Sequence, residues 1–189
     1  MKKHIALAGF AAAALVAGTA TPALADAHEG PGTIVDVAVG ASGGVGAYDA
    51  NGSDYDILVG AVVALDLAGA LSAPDADLTV FAPNDEAFLR LVTDLTGERP
   101  ATEEEALGIV AGVEGVTEIM LYHVVPGAAD VKSLIKAKSA TTILGGTIGV
   151  QGVNLRDGGD LADPKIIRPA ANIAASNGII HTIDRVLQP

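Results

Sequence analysis

The chain has 189 residues, a formal net charge of −12, 50% apolar residues and neither Cys nor Trp. One domain with a real core fits that length. The acidity excludes a nucleic-acid binder, which needs clustered Lys and Arg to displace counterions. Zero Cys excludes disulfides, thiolate metal sites, thiol nucleophiles and a lipoprotein anchor.

Lys2 and Lys3 form a positive start, Ile5 to Val16 is an apolar run without charge, and Ala23-Leu24-Ala25 offers small residues to a signal peptidase. Residues 1–25 therefore read as a secretory signal peptide, with an uncleaved anchor as the alternative. Cleavage removes two Lys and no acid, so the mature chain carries −12 − 2 = −14. That charge repels anionic membranes and polyanions. Residues 26–32 read as a flexible tail. Cleavage after Ala25 exposes Asp26-Ala27-His28, whose amine, two amides and imidazole suit Cu(II) or Ni(II). Cleavage after Ala27 removes that site. No later stretch is apolar enough to span a bilayer.

Ile34 to Val39 reads as a short helix, and Gly40 to Ser53 as a loop. The loop lacks G-x-G-x-x-G order, which excludes dinucleotide binding. Asp49, Asn51, Ser53, Asp54 and Asp56 crowd oxygen ligands together. A calcium-binding EF-hand puts Gly at the sixth position; here Gly52 is fourth, so a solvated turn is the expectation. Ser53 with Asp56 resembles a capping box for a helix with Leu58, Ala61, Val62 and Leu65 on one face. Leu78 to Ala82 reads as a strand. Pro83 and Asn84 end it and cap a helix, with Asp85 and Glu86 at its positive end and Phe88, Leu89 and Val92 inside.

Thr102 and Glu105 make another capping box, leading a helix with Ala106, Ile109, Val110 and Val113 on its apolar face. Glu103 to Glu105 reads as solvated. A third helix carries Val116, Ile119, Met120 and His123 and is stopped by Pro126-Gly127. Residues 130–137 form a last short helix. Ile143-Leu144, Gly145-Gly146 and Thr147 to Val150 predict a hairpin with a type I′ turn. Asp157 to Asp163 is an acidic turn. Asn172 to Ser176, Asn177-Gly178 and Ile179 to Leu187 predict a second hairpin, whose final strand is apolar on both alternations and therefore central. Helices first and hairpins last argue an α+β fold.

Three segments in this order resemble the fasciclin domain: Leu78-Thr79-Val80-Phe81-Ala82-Pro83-Asn84-Asp85-Glu86-Ala87-Phe88, then Leu121-Tyr122-His123-Val124-Val125-Pro126-Gly127, then Ala175 to Leu187 with Asn177, Gly178 and His181. They are similar to the family's first signature box, its Tyr-His motif and its second box. Ile34 to Ala38 looks like its first helix. The resemblance covers residues 33–189, one domain. It implies a seven-stranded β-wedge or sandwich with helices packed at one side. It also implies secretion to a periplasm, cell surface or matrix, and an adhesive role. Some eukaryotic members engage integrins around the Tyr-His motif and second box. The matching positions here are Tyr122, His123, Ile183 and Asp184, and the chain contains no Arg-Gly-Asp. Thr79, Phe81, Pro83, Asn84, Asp85, Asn177, Gly178 and His181 are the structural signature.

No catalytic motif is present. His123 and His181 each read as a partly buried ring hydrogen-bonded to a neighbour, and no third ligand completes a metal site. Ser176, His181 and Asp184 do not make a triad, because His181 and Asp184 point to opposite strand faces. Tyr122 reads as a packed ring with one hydroxyl partner. The expectation is a secreted, non-enzymatic module without a cofactor, binding a surface or matrix protein or polysaccharide and weakly self-associating. The alternative is a carrier of an apolar small molecule, since some algal members bind carotenoids and the chain is rich in aliphatic residues.

Overall fold

The computed structural model describes residues 32–189. The expected signal peptide, most of the expected tail and Asp26-Ala27-His28 lie outside the described residues. Among the described residues are seven α-helices and seven strands in two sheets. None of these helices is long and apolar enough to cross a membrane.

Helix α1 (Ile34–Ala41) starts at Thr33, which exchanges bonds with Asp36 in a capping box. Helix α2 (Asp56–Ala64) follows the glycine loop, and α3 (Ala68–Leu71) is a single turn the sequence pattern does not foresee. The expected Ser53–Asp56 box is absent. Tyr55 is the N-cap of α2 and makes no side-chain capping bond, its hydroxyl bonding Thr182 instead, while Ser53 is exposed. Strand β1 (Leu78–Pro83) leads into α4 (Asp85–Thr96), capped as expected by Asn84 through the Ala87 N–H, and closed by left-handed Gly97.

Helix α5 (Glu103–Ala111) is capped by Thr102 through the Glu105 N–H. Glu105 reaches back to the Ala101 N–H. Helix α6 (Val116–Tyr122) ends earlier than the Pro126-Gly127 stop predicts. Val124–Pro126 is instead strand β2, paired antiparallel with β1. β-branched residues beside an open strand edge favour that pairing over another helical turn.

Helix α7 (Val131–Ala137) precedes β3 (Ser139–Thr141), β4 (Thr147–Gln151) and β5 (Asn154–Arg156), which form the antiparallel three-stranded sheet. The first hairpin is present but its outer arm lies three residues upstream of the expected one. Ile143 and Leu144 fall in the turn, 43% and 46% exposed. Of the two glycines only Gly145 is left-handed, so the turn is not type I′. The second hairpin joins β6 (Ile173–Ala175) to β7 (Gly178–Ile183).

The larger sheet runs β2-β1-β7-β6, with β1 and β7 parallel at its centre. Strand β7 is thus internal, as its two apolar faces require. Phe81 and Ile183 face the second sheet and pack with Tyr122, Leu134, Ile148, Leu155 and Leu187. Val80, Ala82 and Ile180 face the other way, onto Ile34, Tyr55, Val59 and Leu71. A third cluster, around Ile57, Phe88, Val92, Ala106, Val110 and Met120, binds α2, α4, α5 and α6 together. Each such fully buried side chain contributes about 1.5–3 kcal/mol.

Candidate functional site

The strands of the two signature boxes, β1 and β7, pair along their full length. Leu78 pairs with Gly178, Phe81 with His181 and Pro83 with Ile183. Gly178 is needed for this approach, since a Cβ there would collide with the Leu78 carbonyl on β1. Buried Thr79 donates from its hydroxyl to the Gly127 carbonyl at 2.6 Å and accepts from the Ala129 N–H at 2.8 Å, fixing the chain beyond β2. Asn177 does more than turn the hairpin. Its Oδ1 accepts the Ile34 N–H at 2.9 Å and its Nδ2 donates to the Leu71 and Ala73 carbonyls, tying α1 and α3 to the sheet.

Both imidazoles of the motifs are consumed by backbone. His123 Nδ1–H donates to the Ile119 carbonyl at 2.7 Å, and its Nε2 accepts the Leu187 N–H at 2.9 Å. His181 has the opposite tautomer: Nε2–H donates to the Ala129 carbonyl at 2.8 Å and Nδ1 accepts the Asn172 N–H at 3.2 Å. Burial pushes His123 down to about 4 and lowers His181 as well. Both rings are therefore neutral near pH 7, with no free nitrogen to act as base or ligand. Ser176 is exposed, and its backbone N–H bonds the Gly32 carbonyl.

Of the four positions assigned to partner contact by resemblance, Tyr122, His123 and Ile183 are buried and Asp184 is half-buried. Tyr122 donates from its hydroxyl to the Thr147 carbonyl at 3.3 Å. Asp184 accepts the Lys165 N–H on Oδ1 at 2.7 Å, and its carbonyl accepts from Arg90 at 3.3 Å.

The oxygen-rich loop is solvated at Asp49, Asn51 and Ser53, as its composition suggests, but not at its end. Asp56 is 1% exposed and Glu103, also expected in solvent, is 3% exposed. Oxygens of Asp49, Asp54, Asp56 and Glu103 all lie within 4.8 Å of one another. The Asp49 N–H donates to Glu103 at 2.9 Å, and the Asn51 amide donates to Asp54 at 2.8 Å. Asp85, expected to serve its own helix, turns away instead. Its Oδ1 and Oδ2 accept the Ile57 and Asp56 N–H groups at 2.7 and 3.1 Å, capping α2. Burial, then the adjoining Asp54 carboxyl, pushes Asp85 up to about 8. Burial and neighbouring carboxylates also raise Asp56 and Glu103. One signal for Glu103 was available: it stands at i−3 from Ala106 and i−7 from Val110, on the buried stripe of α5.

Two apolar spaces lie elsewhere. A pocket of about 40 Å³ under α1 and α2 is lined by Ile34, Tyr55, Val59, Val62, Val80 and Ile180. A surface groove of about 420 Å³ runs between β2, α7 and β3, floored by Val125, Ala129, Leu134 and Ala140. Lys132, Lys136 and Lys138, from α7 and its C-terminal end, are exposed.

Comparison with known proteins gives a consistent picture. The model of the fasciclin domain matches residues 53–189. Protein sll1483 of Synechocystis sp. is 36% identical over 160 residues, covering 83% of this chain and 73% of that protein. A second Synechocystis protein, sll1735, is 32% identical, covering 70% of this chain and 88% of its own length. Fasciclin-1 of Schistocerca americana is 33% identical over 115 residues, and this chain spans only 16% of it. The solved FAS1 domain pair of the insect cell adhesion molecule Fasciclin I superposes with a TM-score of 0.60 at 14% identity, over 84% of this chain and 51% of that one. That likeness shows the same fold.

Proposed function

The chain belongs to the fasciclin domain family, and from that premise we propose that it is an exported, non-enzymatic module that attaches to a cell-surface or matrix component. The signal-like residues 1–25 support export, and the insect relative's being a cell adhesion molecule supports attachment. The observation that carries the reading is the open groove between β2, α7 and β3. It lies in the size range of binding sites and has an apolar floor, and α7, which forms one wall, also carries the exposed Lys132 and Lys136 and is followed by Lys138. Those lysines stand out in a chain of net charge −12. The occupant we assign is an acidic, partly apolar segment of a surface or matrix protein. Tyr122 and Ile183 pack with Val125, Leu134 and Ala140 beneath that floor.

The purified chain is expected to bind the envelope or matrix fraction of its host saturably. Replacing Lys132, Lys136 and Lys138 together by Glu is expected to weaken this about tenfold, with affinity falling as salt rises. Binding unchanged by the triple variant overturns the assignment of the groove. No saturable binding at all, with cell aggregation unaltered by gene deletion, overturns adhesion.

The carrier reading has less room. The pocket of about 40 Å³ holds roughly one water, so a carotenoid-sized ligand would have to lie in the groove. A native mass above that of the bare chain, lost on denaturation together with visible absorbance, would favour the carrier.

A further inference from the structure

The acidic crevice at the ends of α2 and α5 has a composition that the fold alone does not require. Four carboxylates, Asp49, Asp54, Asp56 and Glu103, converge there, and Asp85 stands directly behind them. Among the described residues, the neighbouring cations are engaged elsewhere. Arg99 pairs with Glu86 at 2.7 Å, and Arg90 pairs with Glu86 and the Asp184 carbonyl. Asp56 is the telling residue. It is 1% exposed, and neither carboxylate oxygen makes a well-formed hydrogen bond, its polar neighbours being the Asp49 backbone and the Glu103 carboxyl. Asp54 Oδ1 is likewise buried, with the Asp85 carboxyl beside it and no well-formed hydrogen bond. Burying an unpaired carboxylate costs several kcal/mol unless a proton or a cation answers it.

We propose that Asp49, Asp54, Asp56 and Glu103 form a divalent-cation site selective for Ca²⁺. The donors are all hard carboxylate oxygens, which suit Ca²⁺ and Mg²⁺ and not the softer transition metals. The number of carboxylates separates the first two. Mg²⁺ usually keeps several waters and takes one or two carboxylates, whereas Ca²⁺ accepts a cage of many protein oxygens. Four carboxylates with oxygens within 4.8 Å of one another suit the ion that sheds its water more readily. The site is anchored from two sides. Asp56 and Glu103 are the first residues of α2 and α5, while Asp49 and Asp54 come from the loop between α1 and α2. The inward N–H groups of α2 are already taken by Asp85, so the helix end does not neutralise the cluster by itself. Entry is open: a crevice of about 220 Å³ lined by Asp49, Gly52, Glu86, Arg99 and Glu103 leads to solvent. An ion held there would fasten the glycine loop to the helical layer.

The test is calorimetric titration of CaCl2 into the purified chain, stripped with a chelator, together with thermal melts. Expected is one Ca²⁺ per chain with Kd of about 10⁻⁵–10⁻³ M, tighter than Mg²⁺ by at least about tenfold. The melting temperature is expected to rise with CaCl2, as it must for a ligand of the folded state. Asp56→Asn and Glu103→Gln keep shape and remove repulsion, so both are expected to fold as stably as the parent without metal. Each is expected to weaken Ca²⁺ binding about tenfold or more and to lose the thermal shift. Three results would overturn the site: no binding up to about 5 mM CaCl2, which assigns the cluster to shared protons; equal response to Mg²⁺; or full binding in both variants.

Discussion

At the β1–β7 centre, Thr79, His123, Asn177 and His181 are buried, and their side-chain donors and acceptors are matched to backbone groups. At the α2–α5 end, Asp56 is buried as deeply, and neither of its oxygens makes a well-formed hydrogen bond. Charge divides the chain in the same sense. Residues 32–119 hold 16 Asp and Glu against two Arg, while residues 120–189 hold five acids against seven bases. A buried polar group with its partners is part of the scaffold, and removing it lowers stability. A buried polar group without them is held at a cost, and that cost marks a place where the fold serves something beyond itself.

Breaking the first region has the largest expected effect. Gly178→Ala drives a methyl group into the Leu78 carbonyl, where backbone and not a flexible side chain must yield. The expected loss is about 3 kcal/mol or more, or failure to fold, read by chemical denaturation. A variant as stable as the parent would mean that β1 and β7 are not tightly paired here.

The next effect is a pH dependence carried by His123. Its ring is lowered from 6.5 to about 4 because burial disfavours the imidazolium. As pH falls below about 6.5, the unfolded chain takes up a proton that the folded chain refuses until about pH 4. Stability from this group is therefore full above 6.5 and lost as pH falls to about 4, by about 3 kcal/mol in all. In NMR the His123 ring signals are expected to stay in the neutral position at pH 5. An ordinary titration midpoint near 6.5 would show the ring open to water.

Asp85→Ala sharpens the contrast from the other side. It leaves the Asp56 and Ile57 N–H groups of α2 uncapped. The expected cost is about 1–2 kcal/mol, reduced because a buried carboxyl is removed. A gain in stability would show that burying the carboxyl costs more than its cap contributes.

Much of the scaffold was legible in the residues because its causes are local. Asn84 caps α4, and Phe88, Leu89 and Val92 form its inner side. The hairpin at Asn177-Gly178 and the central position of β7 follow from turn chemistry and two-faced apolarity. The misreadings share a cause. Val124 to Pro126 looked like the end of a helix, since a three-residue strand has too little periodicity to announce itself. Ile143 and Leu144 looked like strand, but Ser139 to Thr141 takes that place. Asp85, Asp56 and Glu103 looked like ordinary helix-start acids, because nothing in a local window says what another helix end will bring beside them.

The sequence by itself determined the helices, their caps, the hairpins and the ordered boxes that mark the family, because each depends on residues a few positions apart. Only the tertiary structure decided that the two boxes, about a hundred residues apart, lie parallel and in contact. It also decided that His123 and His181 are neutral staples and that acids from a loop and two helices share one crevice. Pairing, burial and protonation are set by what surrounds a side chain in space, and that neighbourhood exists only once the chain has folded.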